Sequence, residues 1–283
     1  MSIEHEIEAI RHGRGVVRLS GRTVTRIRGA DARDWLSDLL TAEVRDLERG
    51  QARASMLLTP TGRVRAVLTV ACIDDDLMLV QDDRQPDPIA KLLSPYVLSS
   101  DVDLIEEALL CAVLPAAPPD PTDGLATVTP STLGVGKDVF AADPRVLERA
   151  TEGLVAVSET ALERWRIEEG LARFPADIST DSLPHEVDAG EAIEDSRGCY
   201  LGQEAVARVR NLGHPPRVVV RVRGESELAP GSALLSGGSE VGTVTSAVAT
   251  TGIARVRWAA RDSALEDETG ASVVVAGRAG LFR

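Results

Sequence analysis

Aromatic side chains are scarce in this sequence: Phe, Trp and Tyr together make up 3% of its 283 residues. Any core must therefore be built mainly from Val, Leu, Ile and Ala, and the 43% hydrophobic content is enough for two or three domains. Cysteine is nearly absent as well. Cys72, Cys111 and Cys199 form no C-x-x-C pair, which excludes a disulfide framework and suits a reducing cytoplasm. Positive charge is outweighed, with 31 Lys and Arg against 44 Asp and Glu and a net charge of −13. That balance excludes broad nucleic-acid or anionic-membrane binding, because non-specific phosphate affinity needs clustered cations. No apolar run approaches membrane-spanning length, and Met1-Ser2-Ile3-Glu4-His5-Glu6 is acidic and polar, unlike a signal peptide. The expectation is a soluble cytoplasmic protein.

What the chain does have is a reversal of charge around one short segment. Seven acidic side chains and no Lys or Arg lie between Asp177 and Ser196, whereas from Arg197 to Arg223 six Arg face the single Glu204. Arg197-Gly198-Cys199-Tyr200-Leu201-Gly202-Gln203-Glu204 sits at the seam. Its two glycines permit positive φ or a close backbone approach. If Gly202 to Arg208 begins a helix, Cys199 and Tyr200 lie just before its N-terminus, where free N–H groups and nearby Arg favour a thiolate. Such a thiol suits a nucleophile, a redox group or a soft-metal contact, and the plain alternative is a buried Cys in a turn. A glutaminase elbow needs a downstream His as base, and the only His after Cys199 is His214, 15 residues on. Cys199, His185 and His214 have no zinc-site spacing, and Gly198 to Gly202 is no dinucleotide fingerprint. No metal site is expected. Cys72, inside the apolar run Val64 to Ile73, and Cys111, after Leu109-Leu110, read as buried strand positions.

Periodicity places the elements. Val16 to Leu19 and Val24 to Arg28 read as strands, and Asp31 as the N-cap of a helix burying Ala32, Trp35, Leu36, Leu39 and Leu40. Ala54 to Leu58, Val64 to Ile73 and Leu77 to Gln81 are β-rich, with turns at Thr59-Pro60-Thr61-Gly62 and Asp74-Asp75-Asp76. Asp87-Pro88 opens a short helix, Val102 to Val113 resumes β character, and Pro115-Ala116-Ala117-Pro118-Pro119-Asp120-Pro121 is a linker. Leu125 to Val128 and Leu133 to Val135 are expected strands, and Arg145 to Arg149 a helix. Ser158 caps a helix running to Glu169 and stopped by Gly170. On that helix Ala161, Trp165 and Glu168 share a stripe, with Glu169 nearly as close to it. A carboxylate there must find a donor: a pterin-like ring, an internal Arg or a backbone turn. From about Pro215 to the end, closely spaced strands with glycine turns suggest an antiparallel barrel.

The octapeptide resembles the K-G-C-Y-x-G-Q-E signature of the YgfZ folate-binding family, relatives of the glycine-cleavage T-protein, with Arg197 in place of the Lys. Leu183-Pro184-His185-Glu186 before it and Val206 to Arg217 after it extend the likeness, as does Arg166-Ile167-Glu168-Glu169-Gly170, similar to R-[LI]-E-x-G. The resemblance implies an α+β protein: a two-lobed folate-binding region of ferredoxin-like units, followed by a C-terminal β-barrel. Boundaries are expected at 1–114, 115–214 and 215–283. It implies tetrahydrofolate or a derivative as cofactor, with Glu168, Tyr200, Gln203 and Arg208 as folate-binding residues and Cys199 as a functional thiol. It further implies a role in iron–sulfur cluster assembly or repair and dependent tRNA modification, with iron–sulfur client or assembly proteins as partners. The T-protein itself transfers an aminomethyl carbon to tetrahydrofolate through an aspartate in a G-G-I-L-D-D-L segment. Here that stretch corresponds to Thr61-Gly62-Arg63-Val64-Arg65-Ala66-Val67, so Arg65 and Ala66 stand where the acids would be. An aminomethyltransferase, or a partner-binding protein with a vestigial pocket, are the alternative readings.

Overall fold

The computed structural model describes every residue except 20–21, 115–123, 125, 129, 135, 195–197 and 283. The proline-rich linker, Leu125, Val135 and Arg197 therefore lie outside the described residues. In chain order the elements are α1 (Ile3–Arg11), β1 (Gly15–Leu19), β2 (Arg22–Arg28), α2 (Ala32–Leu39), β3 (Ala52–Leu58), β4 (Val64–Ile73), β5 (Asp76–Asp82), α3 (Ile89–Leu93), β6 (Asp103–Glu107) and β7 (Leu110–Leu114). They continue with β8 (Ala126–Val128), β9 (Lys137–Ala141), α4 (Pro144–Ala150), β10 (Val155–Ala156), α5 (Glu159–Glu169) and α6 (Gln203–Leu212). The last strands are β11 (Arg217–Gly224), β12 (Ala233–Ser236), β13 (Ser239–Val248), β14 (Thr251–Arg257), β15 (Leu265–Glu266) and β16 (Ser272–Arg278).

Two five-stranded sheets and a closed barrel result. The first sheet, ordered β3-β4-β5-β2-β6, is antiparallel throughout. Even-numbered positions of β4 from Ala66 to Cys72 pack under α2 and α3 with Trp35, Leu36 and Leu92. The odd positions turn to the opposite face, where Val67 meets Phe174 and Leu281 and Ala71 meets Phe140 of the other sheet. This is the period-2 alternation of a strand with both faces covered. The second sheet, ordered β10-β1-β7-β9-β8, carries α4 on one face and α1 with α5 on the other.

Sheet membership does not follow a division after residue 114. The strands β1 and β7 pair with each other and belong with β8 to β10, so the first lobe is an insertion between them. For the same reason the β stretch expected over Val102 to Val113 is two strands, β6 and β7, in different sheets. The strand expected at Leu133 is a turn instead. Asp138 accepts from the Ser131 Oγ at 2.5 Å and the Thr132 Oγ1 at 2.8 Å, bending the chain, and the strand falls one segment later, at β9. Asp31 precedes α2 without capping it by its side chain. Its carboxylate accepts from the Asp101 backbone N–H at 2.8 Å, tying the α2 start to β6.

Six strands close the barrel in the order β11-β14-β13-β12-β15-β16. Val218, Val220 and Val222 point inward with Val244, Val256 and Leu265. Val219 breaks the outward Arg pattern of its strand because the barrel docks there: it is buried with Ile253, Met56, Tyr200 and Phe282. Beyond β16 the chain returns to the lobes. Gly280 donates to Gly170 O at 3.0 Å, and Ala172 donates to Gly280 O at 2.7 Å.

Candidate functional site

The helix α5 organises the candidate site. Ser158 caps it by accepting from the Ala161 N–H at 3.2 Å, and Gly170 ends it in the left-handed region at φ 72°. The positive φ favours glycine at 170, and a Cβ there would lie 2.2 Å from the Cδ of Arg221 and displace that side chain. Ala161 and Trp165 are buried as the helical projection expects. Glu168 is not buried with them. Its carboxylate accepts from Arg164 Nε at 2.8 Å and from Arg11 Nη2 of α1 at 3.0 Å. An internal arginine pair thus satisfies the donor requirement, and Glu168 is not among the residues lining the cavities described below.

The buried charge on α5 is Arg166, 2% exposed. Its guanidinium donates to Asp177 at 2.9 Å, to Leu171 O at 3.0 Å and to Ser246 Oγ of the barrel at 2.8 Å. Glu163, one turn earlier, accepts from Arg166 Nε at 2.8 Å. Sequence reasoning passed over Arg166 because arginine is rarely buried unless paired. The signal that could have found it is Asp177 downstream, at the head of the acidic block.

Beside α5 opens a groove of about 780 Å³. Arg84, Arg164, Arg166 and Arg173 line it with Glu159 and Glu163, and Ile3 and Pro175 belong to its apolar side. A crevice of about 20 Å³, room for a single water, continues inward past Arg166 and Arg173 to Val67, Asp82, Gln85 and Phe174. Arg84 donates twice to Asp82, at 3.0 Å each, and Arg22 stands 3.2 Å from the same carboxylate. Burial raises Asp82, but the charges of Arg22 and Arg84 overcome it and hold the carboxyl below its ordinary value. Glu163 behaves likewise: burial raises it, and its bonds to Arg166, with the charges of Arg166 and Arg173, bring it lower. Arg173 moves the other way. Burial first, then the charges of Arg166 and Arg84, bring it down to about 10.

The octapeptide lies elsewhere. Gly202, at φ 84°, opens α6 and seats it on the β3–β4 turn, where a Cβ would lie 2.5 Å from Thr59 O. Gly62 of that turn would clash with Ala205 in the same way, at 2.6 Å. Gly198 has open space around it. Leu201 donates to Asp38 O at 3.0 Å, fixing the segment to the end of α2. Tyr200 is buried in the cluster where lobe and barrel meet, Gln203 is half-buried, and Cys199, Glu204 and Arg208 are exposed. None of Cys199, Tyr200, Gln203 and Arg208 lines the groove or the crevice. Cys111 and Cys72 are buried as expected; burial pushes the Cys111 thiol up, and Cys72 Sγ accepts from Arg33 at 3.2 Å. Arg65 shares a strand face with Val67 at the crevice, whereas Ala66 points into the core under α2. Among the described residues no group of three His, Cys, Asp or Glu is placed to hold a metal ion, and no helix is long and apolar enough to cross a membrane.

Comparison with known proteins matches this layout. A solved aminomethyltransferase T of the glycine cleavage system, from Bartonella henselae, superposes with a TM-score of 0.81 at 18% identity, covering 95% of this chain and 88% of that one. This chain has the same fold. Residues 1–130 match the GCVT N-terminal domain, and residues 217–278 match the CAF17 C-terminal beta-barrel domain. An aminomethyltransferase from Alcanivorax borkumensis is 24% identical over 271 residues, 85% of this chain and 76% of that protein. An uncharacterized protein from Haemophilus influenzae is 25% identical over 243 residues, 80% and 82% respectively. A chloroplastic Arabidopsis thaliana protein, named as a candidate transferase, is 22% identical over 278 residues; the match covers 86% of this chain but 64% of that protein's length.

Proposed function

We propose that this protein binds a reduced folate in the groove beside α5 and acts as an accessory factor for iron–sulfur proteins, without transferring an aminomethyl group. The observation that carries the reading is the groove itself, on the T-protein fold, lined by two carboxylates and four guanidiniums. At about 780 Å³ it falls within the usual range for small-molecule sites. A folate has one edge of amino and N–H donors and one anionic tail. Glu163 offers an acceptor for the first, and Arg84 and Arg173 offer cations for the second, so the donor set fits the group. Glu163 takes the pterin role that the family pattern gives to Glu168, because Glu163 lines the groove and Glu168 does not.

Arg65 and Ala66 argue against aminomethyl transfer, since neither can place an amine through a carboxylate. The accessory role rests on the octapeptide's resemblance and on Cys199 being exposed, away from the groove, where a partner can reach it. Calorimetric titration with 5-formyltetrahydrofolate tests the binding reading, and a saturable one-to-one isotherm is expected. An assay with an aminomethylated carrier protein and tetrahydrofolate tests the other half: no turnover is expected, and turnover at rates typical of enzymes overturns it. In cells lacking the gene, the Cys199→Ala protein should fail to restore iron–sulfur enzyme activity; full restoration removes the thiol from the function.

A further inference from the structure

We propose that Arg173, with Arg84 beside it, is a carboxylate-binding subsite of the groove, which selects ligands carrying an anionic tail over the neutral pterin alone. This rests on the reading of the groove as a folate site and assigns two residues that the family's motifs do not mark.

The charges on the groove wall do not pair off evenly. Arg166 has Asp177 at 2.9 Å and also shares Glu163. Arg84 has Asp82 at 3.0 Å. Arg164, also on the lining, has Glu4 at 3.1 Å and Glu168 at 2.8 Å. Among the described residues the carboxylate bonded to Arg173 is Glu163, at 2.8 Å, which Arg166 already holds. Among the described residues four guanidiniums line the groove with Glu159 and Glu163, and Arg173, 12% exposed at its side chain, and Arg84 each bond one carboxylate that a second arginine also meets. Burying such a charge is costly unless an anion meets it. Its lowered pKa has the same cause, since burial and like charges are what an approaching carboxylate would relieve.

Arg84 completes the subsite. Its side chain is 44% exposed and is oriented by two bonds to Asp82, leaving guanidinium edges free for a second carboxylate. The turn that presents it starts at the end of β5, and Arg84's own backbone N–H donates to Asp82 at 3.0 Å, so its position is fixed before ligand arrives.

Three ligands are titrated by calorimetry against wild type, Arg173→Gln and Arg173→Lys: 5-formyltetrahydrofolate, 6-methyltetrahydropterin, and p-aminobenzoylglutamate, which carries the tail without the pterin. Losing a charge-assisted bond should weaken binding by about tenfold or more. Wild type is expected to favour the folate over the pterin by at least that factor. Arg173→Gln should weaken the folate and the aminobenzoylglutamate while leaving the pterin unchanged, and Arg173→Lys should recover part of the loss. Thermal midpoints check that the variants fold, and Arg84→Gln gives a second route to the same loss if Arg173→Gln does not. Equal weakening of pterin and folate, or no weakening of either, overturns the subsite. Should the folate and the pterin both fail to bind while aminobenzoylglutamate binds in an Arg173-dependent way, the folate reading falls and the subsite stands. If aminobenzoylglutamate binding is absent or indifferent to Arg173, the subsite falls.

Discussion

The guanidinium of Arg166 and the carboxylate of Asp177 meet at 2.9 Å with both side chains withdrawn from solvent. Asp177 also accepts from Thr245 Oγ1 at 2.6 Å and Ser246 Oγ at 2.7 Å in β13, and from the Arg173 N–H at 2.9 Å. One carboxylate thus joins α5, the turn carrying Arg173 and the barrel. Asp177→Ala takes one of two carboxylates from a buried guanidinium and leaves the Thr245, Ser246 and Arg173 donors unmet, so it should cost about 3 kcal/mol or more of stability. Urea denaturation of the variant measures this, and a loss under about 1 kcal/mol would show that the pair is not the joint between lobe and barrel.

Glu163 and Glu168 are separated by little more than a turn of α5 but face different surroundings. Glu168→Ala should leave folate affinity within about twofold, because Glu168 does not line the groove. Glu163→Ala should weaken it by roughly ten- to a hundredfold, the loss of a charge-assisted bond. Parallel calorimetric titrations decide which carboxylate serves the ligand.

Acid should loosen the groove wall. Glu163 and Asp82 are both held below their ordinary values of 4.5 and 3.8 in the folded protein. Groups lowered on folding contribute stability that is fully present above the unfolded pKa and is lost as pH falls through the folded one. Stability should therefore decline from about pH 5 downward, and less steeply in Glu163→Gln, where one such group is gone. Chemical denaturation at pH 7, 5 and 4 reads the slope, and identical slopes in wild type and variant would contradict the assignment.

The seat of α6 makes a separate prediction. Gly202 needs positive φ and has no room for a Cβ beside Thr59 O, so Gly202→Ala should cost about 1–3 kcal/mol. Gly198→Ala, in open space and outside the positive-φ set, should cost less than about 0.5 kcal/mol. Thermal unfolding of the pair tests whether one glycine of the octapeptide is structural and the other is not.

Cysteine accessibility divides along the same lines. Iodoacetamide should label Cys199 in the native protein and reach Cys72 and Cys111 only after unfolding, since the latter two are buried. Mass-spectrometric site assignment checks this, and equal labelling of all three in native conditions would contradict the packing.

Local signals carried much of this structure. Ser158 and Gly170 bound α5 because capping and left-handed stops are chemistry of single residues, and the Arg and Val alternation of β11 is visible in its letters. What the letters hid was long-range. Val102 to Val113 is one β-like stretch whose halves pair with strands in two sheets, and no local property distinguishes them. The stripe on α5 pointed at Glu168, yet tertiary pairing buried Arg166 instead and handed Glu168 to Arg11 from a helix nearly the whole lobe away in sequence. Tyr200, chosen for its place in a motif, serves the core between lobe and barrel. Motif membership marked the segment without telling which of its side chains face a ligand.

The most direct test of the central claim is a crystal structure grown with saturating 5-formyltetrahydrofolate. The prediction is ligand density in the groove beside α5, with the pterin edge at Glu163 and the tail at Arg173 and Arg84. Density in another depression, such as the notch of about 290 Å³ on the outer barrel face at Arg217 and Arg257, or an empty groove at saturation, would contradict it.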